Sequence, residues 1–277
     1  MPERYAYHMF LAQDYTTEAE IKQRFGQFTV LVTLPALTPA QFSNLRSWLP
    51  NTNILAAEVN AMRVMIPADG SEPPYAYGQE IKRTFPSASL WRNCCTGAYI
   101  TDGGPQAVNY SLDDSTIAWW AERASGFLRL TQGIYSDDSP ATIPLWLAVE
   151  RTSLGLIDDD GDGFPTRVGE LSDKYELGVV NLTARLRAAH PGILIANTGT
   201  PRVDGNLHGI SLELSGIPVA DAAAAFKAQL RVARRPKLCI AWCKTQEELD
   251  EWRAVQTADP GLREVLSGIE SSFTDWR

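Results

Sequence analysis

The chain has 277 residues, of which 44% are hydrophobic and 21% are charged, and its formal net charge is −8 at pH 7. This composition is typical of a soluble globular protein, and the apolar runs are too short to span a membrane. Because the charge is negative and no segment concentrates Lys or Arg, the sequence argues against nucleic-acid binding. The N-terminus shows no export signal, so we expect a cytoplasmic protein, or one associated with a virion or released by a non-classical route.

Strand and helix signals alternate through the first third of the chain. We predict strands at residues 5–11, 28–34, 54–59 and 89–93, the last in competition with 98–100. Capping residues begin two helices between these strands, at Thr17 with Glu20 and at Thr38 before Pro39.

The alternation continues to the C-terminal third. We predict strands at 133–138, 193–196, 209–214 and 238–242, and helices at 114–130, 172–190 and 221–232, with a further helix beginning at Thr245. Eight strands alternating with helices favour a closed (β/α)8 TIM barrel, in one domain over residues 1–277. An acidic insertion at 140–172 should lie at the C-terminal face. The alternative is an open doubly wound sheet, but the glycine-rich phosphate-binding turns typical of that fold are missing from the sequence.

The C-terminal tips of the strands are where a barrel enzyme places its site. The polar and aromatic residues at or near these tips are Asp14, Glu58, Trp91, Arg92, Tyr135, Asp137, Asp138, Asn197, Glu213, Trp242 and Lys244. In the 209–214 strand the apolar residues Ile210 and Leu212 should face the helices, which turns Glu213 into the mouth of the barrel. By the same alternation only one of Asp137 and Asp138 can face inward.

Two carboxylates across one pocket are the requirement of glycoside hydrolysis. We therefore predict Asp137 and Glu213 as the reacting pair, with a weak preference for Asp137 as nucleophile and Glu213 as acid/base, and Asn197 as a hydrogen-bonding partner. No cofactor is needed for this chemistry. Substrate contacts are predicted for Asp138, Trp91, Arg92, Tyr135, Trp242, Glu58 and Asp14. The alternative is that tip acids cap helices and the aromatic rings only fill gaps.

The order of these motifs resembles a known family. Gly-Ile-Tyr-x-Asp-Asp, a strand running into Asn-Thr-Gly, and a strand ending in Glu resemble the spherulin-4-like glycoside hydrolases and the related endo-α-1,4-polygalactosaminidases, over about residues 105–216. The resemblance implies a TIM barrel with its functional Asp, Asn and Glu at Asp137, Asn197 and Glu213. The sequence departs from the family at Ser136 and at Thr198.

The resemblance also implies a substrate class. It indicates hydrolysis of a polysaccharide, with an aminosugar polymer as one candidate. Two alternatives remain open: a carbohydrate-binding or structural module of a larger phage or envelope assembly, and a metal-dependent hydrolase that uses Asp137 and Asp138.

An acidic segment in the insertion has calcium-loop spacing. Asp158, Asp160 and Asp162 occupy positions one, three and five of an EF-hand-type loop, and Gly163 occupies position six. Position twelve is glycine, and Glu170 comes one place late. We predict a structural Ca2+ loop completed by Glu170, with a solvated acidic loop as the alternative.

Cysteine and histidine do not suggest a further site. Cys94, Cys95, Cys239 and Cys243 lack zinc-ribbon spacing, and we expect reduced, buried thiols. The three histidines are scattered, and His208 is expected to be structural.

Overall fold

Eight parallel strands form a closed barrel in the computed structural model, which describes residues 5–10, 12–33, 37–58, 63–64, 92–97, 106–107, 118, 121–122, 131–136, 156–198 and 202–269. The strands are β1 (Tyr5–Phe10), β2 (Phe28–Thr33), β3 (Asn53–Glu58), β4 (Gly133–Ser136), β5 (Ile193–Asn197), β6 (Gly209–Glu213), β7 (Ile240–Cys243) and β8 (Leu266–Ile269). Each strand pairs in parallel with its neighbours in the chain order, and β8 pairs with β1 to close the ring. The predicted α/β barrel is confirmed.

One predicted strand was wrong, and one barrel strand was missed. Arg92–Asn93 is a two-residue strand that pairs antiparallel with Ile157–Asp158 outside the barrel. The eighth barrel strand is β8, for which no prediction was made. The predicted strands five to eight are therefore β4 to β7, so that Asp137 follows β4 and Glu213 ends β6.

A close contact explains why β8 has a weak sequence signal. Gly268 of β8 lies against Trp242 of β7, and a Cβ atom at this position would overlap the indole ring. Trp242 is 1% exposed and fills the barrel interior. The position therefore requires glycine, which weakens a strand signal read from the sequence alone.

Five helices are described around the barrel: α1 (Glu18–Phe25), α2 (Pro39–Trp48), α3 (Val168–Ala189), α4 (Val219–Val232) and α5 (Gln246–Ala258). The capping box predicted at Thr17 is formed, and Thr38, predicted as a cap before Pro39, forms a capping box with Gln41. α3 begins four residues before its predicted start, and the helix predicted at 114–130 lies mostly outside the described residues. Among the described helices, none combines the length and the apolar character needed to cross a membrane.

Side-chain alternation along the strands separates two apolar layers. The inner layer fills the barrel and includes Ala6, Val30, Val32, Leu55, Ala57, Tyr135, Ile195, Ile240, Trp242 and Leu266. The outer layer packs strands against α3, α4 and α5 and includes Ile134, Leu194, Ala196, Ile210, Leu212, Ala241, Tyr175, Phe226 and Trp252. Because side chains occupy the interior, a substrate site on this barrel is confined to its ends.

A buried polar network occupies the space between α3 and α4. The described part of the β5–β6 connection, residues 198 and 202–208, contains no helix. Arg202 contacts Asp204 at 2.5 Å and Thr183 of α3 at 2.6 Å. Gln229 of α4 accepts a hydrogen bond from the Asp204 N–H and donates one to the Asp204 carbonyl, at 2.8 and 2.9 Å. This network connects the two helices where a barrel usually has another helix.

His208, beside the start of β6, makes the stability of the fold dependent on pH. Its Nδ1 accepts a hydrogen bond from the Leu194 N–H at 3.0 Å, and burial, with Arg187 and Arg234 nearby, lowers its pKa from 6.5 to about 4. The unfolded chain therefore binds the proton more tightly. The contribution of neutral His208 to the free energy of unfolding is complete above about pH 6.5 and is lost as the pH falls towards 4.

We expect the free energy of unfolding to fall by about 2–3 kcal/mol more in the native chain than in His208→Asn when the pH is lowered from 7.5 to 4.5. Asparagine retains an acceptor near the Nδ1 position but has no proton to gain in this range. Urea unfolding at both pH values measures the difference, and the contribution of His190 cancels because both proteins contain it. Equal pH dependence in the two proteins would contradict the assignment.

Candidate functional site at the barrel mouth

Glu213 lies at the C-terminal end of β6, on the strand face that lines the barrel. Ile210 and Leu212 pack outward against the helices, as the alternation predicted. Ser211 lies on the opposite, inner face, where its hydroxyl is hydrogen-bonded to Tyr135 at 2.7 Å. Glu213, two residues further on, shares that face, and its side chain is 34% exposed. The structure therefore places this carboxylate at the C-terminal mouth of the barrel.

Two donors from neighbouring strands approach the Glu213 carboxylate. The side-chain amide of Asn197, at the end of β5, donates to Oε1 at 3.3 Å. The ammonium group of Lys244, directly after β7, lies 4.0 Å from Oε2. Asn197 is 5% exposed, whereas the Lys244 side chain is 38% exposed. An amide N–H and an ammonium group both interact best with an ionised carboxylate.

Tyr135 and Trp242 form a buried cluster with Ser211 beneath the mouth. The indole N–H of Trp242 donates to the Tyr135 hydroxyl at 2.9 Å, and the two rings meet edge to face with centroids 6.5 Å apart. Tyr135 is 0% and Trp242 is 1% exposed. Neither ring offers a face to a sugar, which corrects the stacking role expected for them. They instead form a hydrogen-bonded cluster with Ser211, two residues before Glu213.

The remaining predicted residues at the strand tips have different positions. Asp137, Asp138 and Trp91 lie outside the described residues. Glu58 ends β3 and pairs with Ser136 of β4. Asp14 lies in a 3-10 turn after β1 and forms an ion pair with Arg24 of α1 at 3.3 Å.

Arg92 was predicted to contact substrate at a strand tip, but it does not lie on a barrel strand. It lies in the two-residue strand beside Asp158, and its guanidinium donates to the Gly97 carbonyl at 3.5 Å. The prediction of a strand-four tip at Arg92 was wrong because this segment pairs with the insertion and not with the barrel.

The acidic loop, residues 158–163, brings three carboxylates together. One oxygen each from Asp158, Asp160 and Asp162 lies within 4.8 Å of the others. Asp158 is buried and accepts hydrogen bonds from the N–H groups of Gly161 and Gly163, at 2.7 and 3.0 Å. Both glycines have positive φ, 80° and 85°, which lets the loop turn tightly. Such a set of oxygen ligands suits a hard cation such as Ca2+.

The structure does not bring Glu170 into this carboxylate cluster. Its side chain is 54% exposed and forms an ion pair with Lys174 at 3.0 Å, so its predicted role as a ligand is corrected. Asp159, which was not predicted to have a role, is 3% exposed and contacts Lys174 at 3.2 Å and the Thr166 hydroxyl. It anchors the loop to α3.

The cysteines divide into two pairs. Cys239 and Cys243 are buried, as predicted, and burial raises the pKa of their thiols to about 11 and about 12. Cys94 is only partly buried and Cys95 is exposed, so the prediction that all four are buried was wrong. The pair at 94 and 95 lies on a turn that projects from the two-residue strand and is not part of the core.

The protein is therefore an α/β barrel of the TIM-barrel class. The Glu213 carboxylate lies at its C-terminal mouth and is hydrogen-bonded to Asn197. No known protein-family model matches the chain, and no curated protein is significantly similar to it in sequence. Among solved structures, the native form of the debranching enzyme of Nostoc punctiforme matches 83% of this chain and 54% of its own length, with 9% identity and a TM-score of 0.46.

A second structure of the same enzyme has 10% identity and a TM-score of 0.46, and its acarbose-soaked form has 8% identity and a TM-score of 0.43. The chain spans about half the length of these matched structures. At this identity and these TM-scores, the similarity assigns neither a family nor an activity.

Proposed function

We propose that this protein is a glycoside hydrolase that cleaves a polysaccharide with two carboxylates, Glu213 and Asp137. The observation that carries the proposal is the position of Glu213, which lies at the mouth and is contacted by Asn197 and Lys244. Glycosidic cleavage needs one carboxylate that is ionised and a second that is protonated. We assign the ionised role to Glu213, because an amide N–H and an ammonium group approach its carboxylate.

Asp137 is proposed as the second carboxylate, from the strand that leads to it. Tyr135 of β4 faces the barrel interior. Strand alternation extended by two residues predicts the same inward face for Asp137 and the opposite face for Asp138. Because the contacts of Glu213 favour its ionised form, we assign it the role of nucleophile or base and Asp137 the role of acid. This reverses the weak preference drawn from the sequence.

An aminosugar polymer is the proposed substrate. The chain is acidic overall, and its densest acidic stretch follows β4 in the sequence. A negative field attracts a cationic polymer and repels an anionic one. The family resemblance drawn from the sequence indicates the same substrate class.

The direct experiment compares release of new reducing ends from polygalactosamine and from an uncharged galactan of similar length. We expect release from the aminosugar polymer and little from the neutral one, with the preference weakened by high salt. Binding of either polymer without any release would overturn the proposal and favour a carbohydrate-binding module.

We also propose that the acidic loop binds Ca2+ as a structural ion. The support is the convergence of three carboxylates at EF-hand spacing on a segment tied to α3 through Asp159. With Ca2+ at about 100 times its Kd, we expect the free energy of unfolding to rise by about 2.7 kcal/mol.

Urea unfolding with added Ca2+, with Mg2+ and with a chelator measures this effect. The Asp160→Asn/Asp162→Asn variant should lose the response to Ca2+, whereas Glu176→Gln, on the exposed side of α3, should retain it. Identical stability with Ca2+ and with the chelator would show that the loop is only solvated.

A further inference from the structure

Cys94 and Cys95 present two thiols side by side at the protein surface. Their sulfur atoms lie 3.6 Å apart, and both cysteines are free. Side chains of neighbouring residues point to opposite sides in a strand, but these two residues lie on a turn that brings both sulfurs to one side. The pair belongs neither to the barrel mouth nor to the acidic carboxylate cluster.

The turn that carries the thiols, residues 93–97, is held by several hydrogen bonds. The side-chain oxygen of Asn93 accepts from the N–H groups of Cys95 and Thr96, at 2.9 and 3.1 Å. The Gly97 N–H donates to the Asn93 carbonyl at 2.7 Å, and Gly97 has a φ of 68°. The Cys94 N–H also donates a hydrogen bond to the Leu156 carbonyl at 2.9 Å. These hydrogen bonds hold the backbone that carries both cysteines in one conformation.

The separation of the two sulfurs suits a chelated ion better than a disulfide. A disulfide needs sulfurs about 2.05 Å apart and Cα atoms about 4.4–6.8 Å apart, whereas adjacent Cα atoms lie about 3.8 Å apart. Two thiolates at about 2.3 Å from a tetrahedral ion are about 3.8 Å from each other. The observed 3.6 Å is close to that value without any change of the backbone.

We propose that Cys94 and Cys95 form a two-sulfur site for a thiophilic divalent cation of the Zn2+ and Cd2+ class. On binding, each thiol loses its proton to the solvent and forms one sulfur–metal bond, so two protons are released and nothing is oxidised or reduced. Water completes the coordination of the ion. Sulfur selects soft cations, whereas the carboxylates of the nearby acidic loop select hard ones, so the two sites take different ions.

The test is a Cd2+ titration of the reduced full chain in excess Ca2+, which occupies carboxylate sites that Cd2+ would otherwise enter. The readouts are the ultraviolet absorption of thiolate-to-cadmium charge transfer, which reports sulfur ligands only, and the protons released. We expect one Cd2+ bound per chain. Cys94→Ser and Cys95→Ser should each weaken binding by about 100-fold or more, because the chelate is lost.

Cys243→Ala is the matched control, since that thiol is buried in the core and burial raises its pKa to about 12. It should leave Cd2+ affinity unchanged. The proposal fails if native chain and both serine variants bind Cd2+ equally, or if the absorption survives in Cys94→Ser/Cys95→Ser. Urea unfolding of each variant without metal establishes that the fold is intact.

Discussion

Glu213→Gln should lower the rate of polysaccharide hydrolysis by about 10²–10⁴-fold while leaving the fold and substrate binding nearly unchanged. Glutamine has the shape of glutamate but cannot act as a base or nucleophile. The amide oxygen of the glutamine can still accept the hydrogen bond that Asn197 donates to the carboxylate at 3.3 Å in the native chain, whereas its NH2 group cannot. Initial rates of reducing-end release, with Kd for the polymer measured separately, distinguish loss of chemistry from loss of binding.

Asp137→Asn should have a comparable effect, because hydrolysis needs both carboxylates. Asp250→Asn, at an exposed position on α5, is the control and should retain the native rate. Hydrolysis that survives both Glu213→Gln and Asp137→Asn would contradict the two-carboxylate proposal. The assignment of the barrel fold does not depend on this result.

Arg202→Met should have the largest effect on stability, lowering the free energy of unfolding by about 3–5 kcal/mol. The change leaves the Asp204 carboxylate buried without its cation, and it also removes the hydrogen bond to Thr183. Arg202 and Asp204 have side chains only 5% and 6% exposed, so water cannot replace the lost partner. Urea unfolding at neutral pH measures the loss.

An exposed ion pair in the same chain provides the comparison. Lys22→Met breaks the pair with Glu18, in which both side chains are 51% exposed, and should cost only about 0.3–0.5 kcal/mol. Combining Arg202→Met with Asp204→Asn should recover part of the loss, because the buried charge is removed. If Arg202→Met costs no more than Lys22→Met, the buried network does not stabilise the fold.

Local patterns predicted much of the fold because the relevant interactions span only a few residues. The capping boxes at Thr17 and Thr38 each satisfy N–H groups within one turn. The inward direction of Glu213 follows from alternation along a single strand, where the outward neighbours are apolar. Even the spacing of the acidic loop could be recognised, since its three carboxylates lie within five positions of each other.

Contacts between distant segments decided what these patterns did not. β8 contains a glycine because Trp242 occupies the space beside it, and that partner is on another strand. Arg92 was placed in the barrel although its strand pairs with Asp158 of the insertion. Tyr135 and Trp242 were expected to stack on sugars, but both are buried in the barrel interior, where they are hydrogen-bonded to each other.

The sequence by itself determined that the chain alternates strands and helices and that an inward-facing acidic residue ends β6. These properties depend on periodicity and on neighbours within one turn or one strand. Only the tertiary structure decided which strands close the ring, that Asn197 and Lys244 converge on Glu213, and that Arg202 contacts Thr183 of α3. Those outcomes depend on packing between residues far apart in the chain, for which no local pattern carries a signal.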